Sequence, residues 1–204
     1  ETTVEETTAP ETTAEETTAE ETTAEETEPE TEAETVAVPD DATNVALGGR
    51  VTTPNYWSIY GNNFYPWFLN DGVGGNNSWY CNQGTPAGEL YATIDLGNVY
   101  TLYQIVLGRP CWGAFPEAYR LQVSLDGETW TTVVFATGMT DEGSANGVVH
   151  GLTAAVDARY VRVQILAHAP SDDPTSGIGE FEVYGVYLRD PGVVIPEDAT
   201  NVAL

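Results

Sequence analysis

Two short stretches concentrate the side chains best suited to contact a ligand. Residues 53–68, TPNYWSIYGNNFYPWF, hold Tyr56, Trp57, Tyr60, Phe64, Tyr65, Trp67 and Phe68. Residues 108–116, GRPCWGAFP, hold Arg109, Trp112 and Phe115. Rings gathered in Gly- and Pro-containing loops, rather than in strands, need an explanation. Most of them are expected to seal one end of the fold. Two or three are expected to stay exposed as a stacking platform. Residues suited to bond-breaking chemistry are absent from any known order: no GxSxG, HExxH or Cys–His constellation occurs. The acids of the folded part lie mostly in turns, as Asp126 and Glu128 do. Cys81 and Cys111 form neither a CxxC motif nor a metal-type spacing. They are candidates for a disulfide if the chain is exported and for two thiols if it is not.

Strand patterns dominate the elements that must carry these loops. Tyr119, Leu121, Val123 and Leu125 alternate with Arg120, Gln122 and Ser124, a period of two that predicts a half-buried strand. An Asp126-Gly127 turn and a second strand from Trp130 to Phe135 follow. Arg159, Val161, Val163 and Ile165 are predicted to share one face of another strand, with Tyr160, Arg162 and Gln164 on the other. Segments 91–96, 100–107 and 180–187 are also strand-like, and no amphipathic helix is evident. Many short strands with long loops predict an all-β antiparallel sandwich or jelly roll.

The charge is divided unequally. Residues 1–38 hold 14 Glu and 13 Thr in a near-repeat of ETTAE, with no Arg, Lys, Gly or aromatic residue. Such a segment has too little apolar surface to offset the entropy of ordering, so it predicts an extended, self-repelling spacer. The rest carries 18 acids against 6 Arg, and Lys is missing altogether. That balance excludes electrostatic binding of nucleic acid and weakens anchoring to anionic lipid. No apolar run approaches a transmembrane segment. Residues 39–47, PDDATNVAL, return at 196–204 as PEDATNVAL. This predicts a spacer (1–38), one complete module (39–188), and a linker with the start of a following module (189–204), a monomer within a tandem array.

The order NVALGG (44–49), LNDG (69–72), Trp79, ATIDLGNVYTLYQIVL (92–107), FPEAYRLQVSLDGETW (115–130), ARYVRV (158–163) and GEFEVYG (179–185) resembles the discoidin domain, also called the coagulation factor V/VIII C-type domain. Within that family it is most similar to bacterial family 32 carbohydrate-binding modules. The resemblance covers about residues 43–188. It implies an eight-stranded antiparallel jelly-roll β-sandwich of the galactose-binding-domain-like type, in a secreted or cell-surface protein. It also implies a structural calcium, with Asp71 and Glu180 at the matching positions. Asn77 stands where the family usually has Thr, with Ser78 beside it, and Val73 and Leu69 would offer backbone carbonyls.

The implied role is noncatalytic binding of glycans, host or plant, including those with galactose or N-acetylhexosamine. Arg109 would bond hydroxyls (its alternative is a surface pairing with Glu117). Trp112 and Phe115 would be the neighbouring rings, Trp57 and Tyr60 the other wall, and Asn62, Asn63 and His168 further polar contacts. His150, Arg159 and Arg162 are read as having no role in the site. The alternative is an adhesion module that binds membrane lipid or a protein partner through the same loops.

Overall fold

The computed structural model describes residues 34–59, 62–73, 77–140, 147–170 and 175–188. Most of the spacer, Tyr60 and the second copy of the repeat lie outside these residues. Of Asn62 and Asn63 only the backbone is described.

The described residues form eleven strands rather than eight: β1 (Thr43–Asn44), β2 (Arg50–Thr52), β3 (Ser58–Ile59), β4 (Asn62–Asn63), β5 (Trp79–Tyr80), β6 (Tyr91–Leu107), β7 (Ala118–Ser124), β8 (Thr131–Ala136), β9 (Val148–Ala167), β10 (Gly177–Ile178) and β11 (Phe181–Tyr187). Five of these are only two residues long. Helical structure among the described residues is confined to two short 3-10 turns, Pro66–Leu69 and Ala87–Glu89.

All the strand pairs are antiparallel, and two long strands change partners midway. The first half of β6 pairs with β2, from Arg50 opposite Asp95 to Thr52 opposite Thr93. Its second half pairs with β11, from Phe181 opposite Leu107 to Tyr187 opposite Tyr100. β9 follows β6 throughout, but the register breaks between Leu102 and Gln104 and again, where β9 runs from Ala158 to Tyr160, between Asp95 and Tyr100. Beyond that break β9 also pairs with β7, and β7 with β8. The halves therefore belong to two layers, β2–β6–β9–β7–β8 and β1–β11–β6–β9, joined where the long strands bend. Between the layers lie Ile94, Leu121, Val161 and Val163 from the first and Leu102, Ile105 and Val183 from the second.

The alternation read from the sequence holds for Tyr119, Leu121 and Val123, which are buried. It fails at both ends. Leu125 is exposed because β7 stops at Ser124, whose hydroxyl bonds the Asp126 carboxylate and begins the turn. Arg159 does not share the inward face of Val161. It is placed at the break in register, so Ala158 and Val161 are both buried and Arg159 turns outward. There it makes a two-pronged pair with Asp95, at 2.9 and 3.0 Å. The Arg159 hydrogen bond holds the Asp95 carboxyl below its usual range. At the other boundary, Val36 N–H donates to the Leu152 carbonyl of β9 at 2.8 Å. The last residues assigned to the spacer thus already lie along the sandwich.

Candidate functional site

The rings of residues 53–68 are organised by a small hairpin. β3 and β4 pair Ser58 with Asn63, and Phe64 N–H donates to Trp57 O at 3.0 Å, extending the ladder by one pair. Trp57 and Phe64 therefore stack across it, centroids 5.5 Å apart. The next pair out, Tyr56 and Tyr65, meets at 5.3 Å. Successive residues of an extended chain point to opposite faces, and the contacts follow that rule. Trp57 and Phe64 face Tyr80 and Trp112, whereas Tyr56 meets Tyr65, which stacks on Trp67.

Trp112 is the most exposed ring of the first group, at 60%. It packs edge-on against Trp57 (6.4 Å) and Phe64 (4.8 Å). Its loop is pinned from below by buried hydroxyls. Trp112 N–H donates to Tyr80 Oη at 2.7 Å, Tyr80 Oη donates to Gly113 O, and Cys111 N–H donates to Ser78 Oγ at 3.0 Å. Gly113 and Ala114 both adopt left-handed backbone, φ 76° and 67°. Such a conformation costs a non-glycine residue about 1 kcal/mol and persists where the surroundings enforce it. Here Ala114 O accepts from Gly177 N, and Gly177 lies so close to the Tyr80 ring that a Cβ would come within 2.5 Å of it. Tyr80 is the hub of this loop end, yet in the sequence nothing but its position beside Trp79 marks it. Ala114 carries no sequence signal at all.

Several expected contacts fall elsewhere. Phe115 is not a ligand ring: it is fully buried and packs edge-to-face on Tyr119. Arg109 is drawn onto that same core ring, 5.0 Å from its centroid, and donates to Thr140 O. Its alternative partner Glu117 is not paired with it, and among the described residues the one ion pair joins Arg159 and Asp95. Arg109 is therefore turned toward Phe115 and Thr140, although its Nε is buried without a partner. His168 is a staple rather than a free donor. Its Nε2 lies 2.9 Å from Thr85 O and its Nδ1 2.9 Å from Ser176 Oγ, so both nitrogens are engaged between two loops. A carbonyl can only accept, which puts the proton on Nε2 when the ring is neutral. Trp57 and Trp112 are brought together as expected. The backbone of Asn62 and Asn63 forms β4, while Tyr60 and the two Asn side chains lie outside the described atoms. Cys81 and Cys111 are not bonded. Cys81 is buried against Thr175 and Ser176, and that burial pushes its thiol pKa up.

The residues expected to hold calcium are partly assembled. Asp71 Oδ1 accepts from Val73 N at 2.8 Å and Oδ2 from Asn77 Nδ2 at 2.9 Å. Glu180 is held nearby by a tight backbone crossing, in which Gly108 N–H donates to Glu180 O at 2.7 Å. Its Oε1 accepts from Gly72 N at 3.0 Å, but Oε2 is buried with no partner. Burial pushes the Glu180 carboxyl up to about 7; Asp71 and Glu182 add to the rise, and the Gly72 N–H opposes it. Ser78 is committed to the Cys111 loop, and Leu69 and Val73 have only carbonyls to offer. Among the described residues no three His, Cys, Asp or Glu side chains converge. That excludes little for calcium, which also takes carbonyl and amide oxygens. A buried carboxylate oxygen with nothing to neutralise it, beside a second carboxylate, fits a hard cation.

The model of the F5/8 type C domain matches residues 18–179. The chain belongs to this family. No curated protein matches it. Among solved structures it is similar to chitosan-binding module 1 from a chitosanase/glucanase of Paenibacillus sp. IK-5, at 26% identity and TM-score 0.57, over 70% of this chain and 99% of that one. Module 2 of the same enzyme, solved with chitotriose, is also 26% identical with TM-score 0.57, over 70% and 100%. The fold is shared by CBM32-3 of a family 31 glycoside hydrolase from Clostridium perfringens, at 19% identity and TM-score 0.59, over 71% and 94%. Among the described residues of this F5/8 type C chain no helix is long and apolar enough to cross a membrane.

Proposed function

We propose that this F5/8 type C domain is a noncatalytic carbohydrate-binding module of an exported bacterial multimodular protein. Its glycan site is the loop end at Trp112, Trp57 and Phe64. The observation that carries this is the state of Trp112: its ring is 60% exposed, yet its backbone is fixed by the buried Tyr80 hydroxyl. A hydrophobic ring held out in water by buried polar groups suits stacking on the apolar face of a pyranose. The 26% identity to two chitosan-binding modules supports the ligand class. Galactose- and N-acetylhexosamine-containing glycans are the expected ligands. The repeated PDDATNVAL phrase supports a further module and binding through effective concentration.

Calcium is proposed as a structural ion held by Asp71 and Glu180, with Asn77 and the carbonyls of Leu69 and Val73 as further oxygens. It would supply the positive charge that Glu180 Oε2 lacks. The protein residues do the positioning: Gly72 and Gly108 orient Glu180, and Asn77 and Val73 orient Asp71.

An array of immobilised glycans, probed with and without a chelator, tests the reading. Binding to a defined glycan set that Trp112→Ala weakens about tenfold or more is expected. Binding to none by folded protein, or selective binding to phosphatidylserine vesicles instead, would overturn it.

A further inference from the structure

The hairpin that presents Trp57 and Phe64 to the proposed site has a second face. On it the Tyr56 ring is 39% exposed and meets Tyr65 at 5.3 Å. Tyr65 in turn stacks on Trp67 with centroids 4.0 Å apart and planes 13° from parallel. Trp67 is 55% exposed. The three rings form a continuous ladder that makes no contact with Trp112. It is anchored in the core through Leu69, which ends the Pro66–Leu69 turn and is fully buried.

Beside Tyr56 lies an open cleft of about 500 Å³, bordered by Arg50, Thr52, Asn55, Tyr56, Pro66 and Asn82. Its frame is rigid. Asn55 O accepts from the buried Trp79 indole N–H at 3.1 Å, Asn55 Nδ2 donates to Thr85 Oγ1, and Asn82 N–H donates to Asn55 Oδ1 at 2.9 Å. Arg50, Thr52 and Asn82 are exposed at its margin. An exposed ring adjoining hydroxyl, amide and guanidinium groups offers both surfaces a pyranose presents: an apolar C–H face and a rim of hydroxyls. The cleft has one charged border residue, Arg50, and no carboxylate. A polymer of free amino sugars would meet repulsion there, whereas neutral and N-acetylated sugars would not.

We propose that the Tyr56–Tyr65–Trp67 ladder and the cleft beside it form a second glycan-binding surface, selective for neutral or N-acetylated pyranose chains over cationic ones. This deepens the carbohydrate-binding reading above and rests on it for the ligand class, but it concerns different rings. A single module with two such surfaces binds a polysaccharide at two points and gains affinity with chain length.

The test is an NMR titration of the 15N-labelled full chain with N-acetylchitohexaose, its deacetylated counterpart and galactose oligomers. The indole N–H signals of Trp67 and Trp112 are assigned through Trp67→Phe and Trp112→Phe. The expected result is a saturable shift at Trp67 and at the Asn55 and Tyr56 amides. That shift should persist in Trp112→Ala, be lost in Tyr56→Ala, and be at least tenfold weaker with the deacetylated chain. Shifts at Trp112 without any at Trp67 would overturn this inference and leave the first site standing. Shifts at Trp67 alone would do the reverse. Loss of the Trp67 shift in Trp112→Ala would also overturn it, because the two faces would then be one site. No shift at either ring with any of these sugars would overturn both.

Discussion

Replacing Glu180 with Gln separates the electrostatics of the proposed ion site from its packing. Glu180 is buried, its Oε2 has no partner, and its carboxyl is raised from 4.5 to about 7, chiefly by desolvation. A folded state that holds this proton more tightly than the unfolded chain loses stability as pH rises from about 4.5 to about 7. Above that range the whole penalty is present; below it there is none. At ~1.36 kcal/mol per pH unit the shift corresponds to at most about 3 kcal/mol, and loop-side water reduces it to about 2 kcal/mol. Gln keeps the shape and the acceptor for Gly72 N–H but carries no charge. In chelator at pH 8, Glu180→Gln should therefore be more stable than wild type by about 2 kcal/mol, or roughly 4–8 °C in a domain of this size. At pH 4.5 the two should coincide. Added calcium should raise the wild-type midpoint, by about 2.7 kcal/mol at 100 times its Kd, and leave the variant unmoved. Urea unfolding followed by tryptophan fluorescence at three pH values, with and without calcium, reads all of this. A variant less stable than wild type in chelator at pH 8, or one that still responds to calcium, would refute the reasoning.

The other predictions separate site from scaffold. Trp112→Ala should weaken glycan binding about tenfold or more while leaving the unfolding midpoint nearly unchanged, since the lost contact is worth roughly 1.5–3 kcal/mol only when the ring is covered. Phe115→Ala should do the opposite, costing about 3–5 kcal/mol of stability in a urea titration, because a fully buried ring is lost from the core. Ala114→Gly relieves about 1 kcal/mol of left-handed strain but frees the unfolded chain by a similar amount. Its stability should stay within about 0.5 kcal/mol of wild type, while calorimetry should show weaker sugar binding from a looser Trp112 loop. Under native conditions a thiol reagent should label half-buried Cys111 well before buried Cys81, read by peptide mass; equal rates would contradict the burial of Cys81.

Period-two alternation places β7 and the later part of β9, because a sheet buried on one face writes its register into the chain, whereas β8 and β11 are legible only as strand-like segments. What it could not show was the break between Asp95 and Tyr100. A bend leaves the composition of a strand unchanged but shifts its inward phase, which is why alternation alone puts Arg159 on the wrong face. The site divided in the same way. The two ring-bearing loops were legible as loops, and Trp57 and Trp112 do meet. Phe115 and Trp112 are three residues apart in one loop, and nothing local distinguishes the buried ring from the exposed one. The difference arises from the turn at Gly113 and Ala114, whose backbone is set by Gly177 and Tyr80, more than thirty residues away on either side. His168 likewise looks free in a Pro- and Ser-rich loop until Thr85 and Ser176 are brought to its two nitrogens.

The loop end follows a consistent physical logic. A ring on a flexible loop must be immobilised on binding, at about 0.5–1.5 kcal/mol per side chain, which is severe for a ligand held by a few stacking contacts. Here that ordering is done during folding. Tyr80 is buried, so its hydroxyl must find partners, and those it finds are Trp112 N–H and Gly113 O. Trp79 is buried, and its indole N–H finds Asn55 O on the way into the hairpin. Two adjacent core aromatics thus use their polar atoms to fix the two loops that bear the exposed rings. Tyr80 therefore belongs to the site although no sugar need touch it. Tyr80→Phe should keep the core ring, lose both bonds to the Trp112 loop, and reduce binding without removing any contact surface.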